Sequence, residues 1–170
     1  GKGKKGSLNE LSSVTLSAKI LKELRERNGL NTEEIEDVIW GNVTQVGEQG
    51  GCLARSAVIA ANYSESTPGL SINRFCASGL EAVNLATNQV KGSAGNAYVA
   101  GGVEMMSRVP MGSDGAAIAV DPTLAMNSYF VPQGISADIG ATKEASSRDD
   151  VDAFAVESQK RATAARQSGP

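Results

Sequence analysis

Cys76 is the residue in this sequence that is best placed for covalent chemistry. It follows an alternating apolar and polar run, residues 70–75, that predicts a strand, and it precedes a helical pattern that ends at Lys91 and Gly92. The start of a helix carries partial positive charge and free N–H groups, which favour a thiolate and can hold an oxyanion. The position therefore predicts a nucleophile, and the alternative is a small buried hydrophobic residue.

Other residues that could do chemistry are few. The chain has two cysteines and no histidine. Two cysteines are too few for a disulfide framework and predict an intracellular pair of free thiols. Without histidine the commonest general base and metal ligand are missing, so any step that needs histidine requires residues outside this chain, and we expect no metal site. Cys52 opens a helix before Leu53, which favours a role in structural packing over catalysis.

Composition and charge exclude several classes of protein. Among 170 residues 41% are hydrophobic, the net charge is -3 and the pI is about 5.1, which leaves no basic surface for nucleic acid. Lys2, Lys4 and Lys5 are interpreted as a solvated end. No apolar run approaches the length of a membrane span, and the first residues are charged where a signal peptide needs apolar ones. We expect a cytoplasmic protein, with an organelle matrix as the alternative, and no nucleic-acid or membrane partner.

Periodicity predicts helices that alternate with strands. The predicted elements are a helix over residues 11–24 stopped at Asn28-Gly29, a capped turn from Asn31 to Glu34, a strand at 37–43, a turn at 47–51, a helix at 53–61, a strand at 70–75, a helix after Cys76 and a strand at 96–100. This order predicts an α/β fold with a mainly parallel sheet between helices. Gly79 is expected to let the helix after Cys76 pack closely to the sheet or a ligand.

The last third of the chain differs in its pattern of apolar residues. Residues 107–134 show no sustained period and predict a long excursion away from the sheet. A final helix is predicted from Ser147, because Ser147 and Asp150 stand at capping-box spacing. Its expected inner face consists of Val151, Phe154, Ala155, Ser158 and Ala162.

Two long motifs resemble those of one enzyme family. Residues 73–83 (NRFCASGLEAV) are similar to the nucleophile motif of the thiolases, in which the cysteine at this place is acylated, and residues 100–110 (AGGVEMMSRVP) resemble the second thiolase hallmark, with Met105 where serine is usual. Residues 39–45, 131–138 and 147–161 fit the same family in order. The chain is identified by this resemblance as similar to the amino-terminal half of a thiolase.

The resemblance implies a division of the chain. Residues 1–106 would form the amino-terminal core half without its usual first strand, and residues 107–170 part of the loop domain inserted in it. The carboxyl-terminal half, which in the family brings histidines, a second cysteine and an asparagine motif, would be absent. We therefore expect the 170 residues alone to be inactive. The resemblance also implies a homodimer or homotetramer, with dimerisation through the strand near 96–100.

The implied activity is acyl transfer between coenzyme A thioesters, either thiolytic cleavage of a 3-ketoacyl-CoA or Claisen condensation. Cys76 would be the acylated nucleophile, and acyl-CoA and coenzyme A would be substrates, with no other cofactor. The motifs look more like degradative or broad acyl-CoA thiolases than the short-chain biosynthetic type. Two rival interpretations stay open: a ketoacyl synthase-like condensing enzyme and a non-catalytic, thiolase-like lipid-binding protein.

Overall fold

The chain folds into two compact units. The computed structural model describes residues 6–169, so the cluster Lys2, Lys4 and Lys5 lies outside the described residues. The first unit extends to Ala116 and the second begins at Ala117. The domain boundary expected between residues 106 and 107 stays a prediction.

The first unit contains a parallel sheet flanked by helices. In chain order its elements are α1 (Ser13–Asn28), a 3₁₀ turn (Thr32–Glu34), β1 (Asp37–Gly41), a second 3₁₀ turn (Gly47–Gln49), α2 (Leu53–Ala60), β2 (Gly69–Ile72), α3 (Ser78–Lys91) and β3 (Tyr98–Gly102). The strands are all parallel, in the order β2-β1-β3, with Val38 opposite both Gly69 and Val99. The predicted α/β class with a parallel sheet is confirmed.

The central strand β1 is buried on both faces. Val38 and Trp40 belong to one core cluster with residues of α1 and α2, whereas Ile39 points to the other side and packs with Ala82 and Ala86 of α3. A strand covered on both faces reads as a continuous apolar run, which is why the sequence marks β1 so clearly. Helices therefore cover both faces of the sheet.

Both ends of α1 are capped, and the carboxyl end stops at the predicted glycine. The side chain of Ser12 accepts a hydrogen bond from the Thr15 amide, and Gly29 ends the helix in the left-handed conformation. The inner face of α1 also carries a polar contact, since the indole Nε1 of Trp40 donates to Ser17 Oγ at 3.0 Å. Burial of the indole is therefore compatible with its hydrogen-bonding need.

All three strands differ in their bounds from the prediction. β1 ends at Gly41 rather than at residue 43. β2 ends at Ile72 rather than residue 75, because Asn73 turns its side chain back to the Phe75 amide and Phe75 adopts φ +47°, which no strand tolerates. β3 is displaced towards the carboxyl end and includes Gly101 and Gly102, where a Cβ at Gly101 would lie 2.6 Å from the Trp40 ring. Alternation alone cannot detect either effect.

Helix α3 buries small side chains rather than its large ones. Its buried residues are Ser78, Ala82 and Ala86. The larger apolar residues at helical spacing, among them Leu80 and Val83, are exposed. The periodicity located the helix, but it marked a face that no described residue covers.

The second unit is helical. It contains α4 (Ala117–Val120), α5 (Pro122–Ser128), α6 (Gln133–Lys143) and α7 (Arg148–Ser168). The expected excursion over residues 107–134 thus includes α4, α5 and the start of α6; Asp121 caps α5, with Pro122 at its first position. These helices are too short, and too interrupted by proline and glycine, to show a clear period.

The predicted start of α7 is confirmed, but its predicted inner face is wrong. Ser147 and Asp150 form the expected capping box. Val151 and Phe154 are nevertheless exposed, and no residue in the described part of this unit, 117–169, is fully buried. Among residues 117–169 nothing packs closely enough on that face to bury it, so apolar periodicity did not lead to burial.

No helix in the described part of the chain combines the length and apolar character that crossing a bilayer requires.

Candidate active site

Cys76 lies in the connection between β2 and α3. The strand ends at Ile72, the helix begins at Ser78, and Cys76 stands two residues before that first helical residue. Its thiol is exposed. The alternative of a buried hydrophobic residue is therefore wrong for Cys76, and the thiol is free to meet a ligand.

Hydrogen bonds hold the backbone of the residues just before Cys76. Asn73 Oδ1 accepts from the Phe75 amide at 2.8 Å. The hydroxyl of Ser78 accepts from the Arg74 amide at 2.8 Å and donates to the Phe75 carbonyl at 2.6 Å. Phe75 holds φ +47°, an uncommon value for a non-glycine residue that persists only where surrounding contacts impose it. These contacts fix the chain at the positions just before Cys76.

Close packing between β1 and the start of α3 places this connection at the sheet edge. A Cβ at Gly41 would lie 2.5 Å from the carbonyl carbon of Ser78 and 2.6 Å from the Gly79 nitrogen, so only glycine fits there. A Cβ at Gly79 would meet nothing within 4 Å. The close approach that we expected at Gly79 is therefore made by Gly41.

A cleft of about 630 Å³ opens beside Cys76. Gly41 and Gly102, the last residues of β1 and β3, lie on its wall, and Phe75 and Met106 contribute apolar surface. The carboxyl ends of parallel strands are where open α/β sheets bind ligands. Cys76 thus lies at the edge of the sheet that the sequence predicted, within an apolar cleft large enough for part of a small organic substrate.

Glu104 holds another wall of this cleft, and sequence reasoning missed it. Its Oε2 accepts from the Val43 amide at 2.7 Å and from Asn42 Nδ2 at 3.4 Å, while its Oε1 accepts from the Thr44 amide at 3.3 Å and from Gln49 Nε2 at 2.9 Å. The signal that could have revealed it was an acidic residue two positions after the glycine-rich end of a strand, inside the second motif.

Gln49 is fully buried and links three segments. Its Oε1 accepts from the Met105 amide at 2.7 Å, and its Nε2 donates to the Thr44 carbonyl at 2.9 Å as well as to Glu104. Asn42, also buried, leaves its Oδ1 without a partner among the residues that the structure describes. A buried acceptor of this kind in the wall of a cleft is uncommon in native proteins.

Cys52 occupies the start of α2 but has a different environment. It adopts φ +59°, is exposed, and donates its thiol hydrogen to the Gly69 carbonyl at 3.1 Å. A backbone contact rather than burial holds the side chain, and the structural role expected for Cys52 stays a prediction. Arg55, in the first turn of α2, donates to the carbonyls of Glu65 and Thr67 and so fixes the loop before β2.

Charged residues tie the glycine-rich turn to the second motif. Glu48 forms an ion pair with Arg108 at 2.8 Å and accepts from the Ser13 amide at 3.0 Å. Partial burial raises the pKa of Glu48, but the hydrogen bonds from Ser13 and Arg108 and the charge of Arg108 outweigh it, so the pKa is lowered overall. Glu48 is therefore held as a carboxylate.

Comparison with known proteins agrees with these features. The whole chain, residues 1–170, matches the family model described as "Thiolase, N-terminal domain". The chain belongs to the thiolase family.

Individual relatives support the same assignment. The chain is 36% identical over 172 residues to a 3-ketoacyl-CoA thiolase of Colwellia psychrerythraea, covering 99% of this chain and 44% of the relative. It is 37% identical to a 3-ketoacyl-CoA thiolase of a Shewanella species, again covering 99% and 44%. A crystal structure of the Bacillus anthracis acetyl-CoA acetyltransferase is similar with a TM-score of 0.57 and 34% identity, covering 60% of this chain and 26% of that one. The chain thus spans less than half the length of these curated relatives.

One departure from the thiolase motif can be understood from the packing. Met105 stands where serine is usual, and its side chain is buried. Its contact with Gln49 is made by the backbone amide, which any residue supplies. The methionine therefore keeps the contact between the second motif and Gln49 and adds apolar surface to the interior.

Proposed function

We propose that this chain carries the nucleophile of a thiolase, which transfers acyl groups between coenzyme A thioesters through an acyl intermediate on Cys76. The observation that supports the proposal best is an exposed thiol in a cleft at the carboxyl ends of the strands, two residues before a helix. The names of the curated relatives, 3-ketoacyl-CoA thiolase, favour 3-ketoacyl-CoA as the substrate and a place in fatty-acid degradation.

The proposed cleavage proceeds in two steps. In the first, Sγ of Cys76 bonds to the 3-keto carbon of the substrate, the bond between C2 and C3 breaks, and C2 takes the electron pair and a proton to leave as acetyl-CoA. In the second, the thiol of free coenzyme A attacks the acyl-cysteine, which restores Cys76 and releases the shortened acyl-CoA. The reverse sequence is a Claisen condensation. Backbone amides near the start of α3 are candidates for stabilising the oxyanion.

Proton transfer in both steps needs groups that this chain lacks. It contains no histidine, and Cys52 donates to the Gly69 carbonyl rather than lining the cleft. The base and the second cysteine that the family resemblance implies would come from outside these 170 residues. We therefore expect the chain alone not to turn over substrate, and steady thiolysis of acetoacetyl-CoA by it would contradict this expectation.

Alkylation with iodoacetamide tests the nucleophile. The expected result is rapid modification of Cys76, slowed by acetyl-CoA or acetoacetyl-CoA, with the modified peptide identified by mass spectrometry. Cys52, exposed in the same molecule, is the internal control and should not be protected. A Cys76 thiol that reacts no faster than Cys52 and gains no protection would instead support the non-catalytic lipid-binding alternative.

The partners that we propose are acyl-CoA, coenzyme A and a second copy of the chain, as a homodimer or homotetramer. β3 is an edge strand of the sheet in the described residues, so its outer side can pair with another chain. The two free thiols favour the cytoplasm or an organelle matrix as the site of action. Light scattering after size exclusion would test the oligomer, and a monomer at micromolar concentration would contradict it.

A further inference from the structure

The carboxylate of Glu104 is saturated with donors. It receives two backbone amides, Val43 and Thr44, and two side-chain amides, Asn42 and Gln49. An ionised carboxylate offers about four lone-pair sites, so these partners occupy its accepting capacity. Glu104 is therefore unsuited to act as a proton acceptor for substrate, although it lies in the wall of the cleft. Its geometry is that of a residue which holds other groups in place.

The segment that Glu104 holds is connected to the residue before Cys76. The carbonyl of Val43 accepts from Asn73 Nδ2 at 3.2 Å, and it belongs to the same peptide group as the Thr44 amide, which donates to Glu104 Oε1 at 3.3 Å. The same Asn73 side chain accepts from the Phe75 amide through Oδ1 at 2.8 Å. A continuous path of hydrogen bonds thus leads from the carboxylate through one peptide unit and one side chain to the strained backbone beside the thiol. Such chains of hydrogen bonds polarise and strengthen one another.

We propose that Glu104 is a positioning residue for Cys76 and acts through Val43 and Asn73. The inference builds on the proposed function, since it concerns the placement of the same nucleophile. The role of the carboxylate is to keep residues 42–44 in one conformation, so that Asn73 is held and Phe75 retains its φ of +47°. Without it the connection between β2 and α3 would relax, and the thiol would lose its fixed relation to the start of α3.

Three variants separate this role from general support of the fold. Glu104→Gln keeps the shape of the side chain but turns an NH₂ group towards amides that themselves donate. Asn73→Ala removes the connection to Phe75 and leaves the carboxylate in place. Glu23→Gln, in an exposed ion pair with Arg27 on α1, is the matched control for the loss of a carboxylate. Each variant is assayed as the complete 170-residue chain.

Two readouts follow the path, and neither depends on acyl-CoA. The first is the ratio of iodoacetamide alkylation rates at Cys76 and Cys52 in the same molecule, and the second is hydrogen exchange of individual amides. In Glu104→Gln we expect exchange at Val43, Thr44 and Phe75 to rise about tenfold, the factor that corresponds to one lost hydrogen bond. The alkylation ratio should fall about threefold, as expected when a thiol leaves the field of a helix start.

Asn73→Ala should give the same fall in the alkylation ratio and the same exchange at Phe75, with Val43 and Thr44 still protected. The double variant should show no further fall, because both residues act on one path. Glu23→Gln should change nothing.

The proposal would be overturned if Glu104→Gln opened the amides of Val43 and Thr44 but left Phe75 and the alkylation ratio unchanged. A uniform rise in exchange across β1 and α3 would also overturn it, because the effect would then be global destabilisation. If Glu104→Gln does not fold, Asn73→Ala alone decides, since an unchanged ratio there removes the last link of the path. A chain that shows the coupling but gains no protection from acyl-CoA would keep this inference and refute the proposed function.

Discussion

The starts of α2 and α3 are alike in their local chemistry and differ in where the topology places them. Each has an exposed cysteine, and each contains a non-glycine residue with positive φ, Cys52 at +59° and Phe75 at +47°. Cys52 contacts Gly69, the first residue of β2, whereas Cys76 follows the carboxyl end of the same strand. Only the second position opens into the cleft. A cysteine at a helix start is therefore not sufficient for a site, because it must also lie at the carboxyl ends of the strands, where the cleft opens.

The two helix starts also rest on the sheet in the same way. A glycine in a strand lies against the first turn of each helix: Gly41 against Ser78 and Gly79, and Gly69 against Ala54 and Arg55. What differs is the polar network around them. Glu104 and Gln49 support the wall of the Cys76 cleft, while Arg55 supports the loop that precedes Gly69.

The largest expected effect is on alkylation, which should differ between variants of the two cysteines. Cys76→Ser should abolish all alkylation that acyl-CoA protects, because the serine hydroxyl does not react with iodoacetamide at neutral pH. Cys52→Ser should leave that labelling unchanged, and its hydroxyl can still donate to the Gly69 carbonyl. Peptide mass spectrometry of each variant measures both outcomes. Protected labelling that survives in Cys76→Ser would remove the functional distinction between the two helix starts.

The second largest effect concerns the glycines under the helices. Gly41→Ala and Gly69→Ala should each destabilise the fold by about 3 kcal/mol, because the new methyl group would overlap backbone that cannot yield without moving a helix. Both added Cβ atoms would come within 2.5 Å of a backbone atom. Gly79→Ala, whose Cβ meets nothing within 4 Å, is the matched control. Urea unfolding measures all three, and a change below about 1 kcal/mol in Gly41→Ala would show that α3 is not fixed by this contact.

These glycines show what the sequence could and could not provide. Periodicity located α1 and α2, which each bury one side, and β1, which is buried on both faces. It located α3 through apolar residues that are exposed, while the buried residues of that helix are small. It also located Cys76 at a strand-to-helix junction. It could not identify Gly41 rather than Gly79 as the point of close approach, because that depends on which backbone crosses the glycine in three dimensions.

The polar part of the site was hidden for a similar reason. Glu104 is 61 residues from Val43, whose amide it binds, and Gln49 is 56 residues from Met105, whose amide it binds. Neither residue forms a periodic pattern. In the second unit, helical spacing predicted a buried face on α7 that the described residues do not provide. A pattern of apolar residues locates a helix, whereas burial requires a partner element that the pattern does not name.

A smaller effect should come from the hydroxyl groups that shape the two connections. Ser78→Ala removes an acceptor for the Arg74 amide and a donor to the Phe75 carbonyl, and should cost about 2 kcal/mol because the site is buried. Ser71→Ala removes the acceptor for the Ala54 amide in α2 and a long contact from the Ser71 hydroxyl to Cys52 Sγ, and should cost about 1 kcal/mol.

The two serine variants also sharpen the functional contrast. Alkylation of Cys76 should slow in Ser78→Ala and stay unchanged in Ser71→Ala, each rate being compared with that of Cys76 in the unchanged chain, because Ser71 also contacts Cys52 Sγ. Equal rates at Cys76 in both variants would mean that Ser78 supports the helix but not the position of the thiol.

The smallest expected effect is the pH dependence of stability that arises from the ion pair of Glu48 with Arg108. Because the pKa of Glu48 is lowered below its ordinary value of 4.5, its contribution to stability is present above pH 4.5 and is lost as the pH falls through the native pKa. Glu48→Gln should therefore be less stable than the unchanged chain by about 0.5–1 kcal/mol at pH 7, the range for a partly exposed ion pair. The free energies of unfolding of the two proteins should become equal at acidic pH.

Asp37 provides the control of opposite sign for that experiment. Burial raises the pKa of its carboxyl above 3.8 despite a backbone hydrogen bond, so its contribution is present below pH 3.8 and is lost as the pH rises through the native value. The stability of Asp37→Asn relative to the unchanged chain should therefore rise towards neutral pH, whereas the relative stability of Glu48→Gln should fall. Urea unfolding at a series of pH values distinguishes the two trends. If the stability of each variant followed the same pH dependence as the unchanged chain, neither carboxylate would be linked to folding. The ion pair of Glu48 with Arg108 would then position the two segments without stabilising the fold.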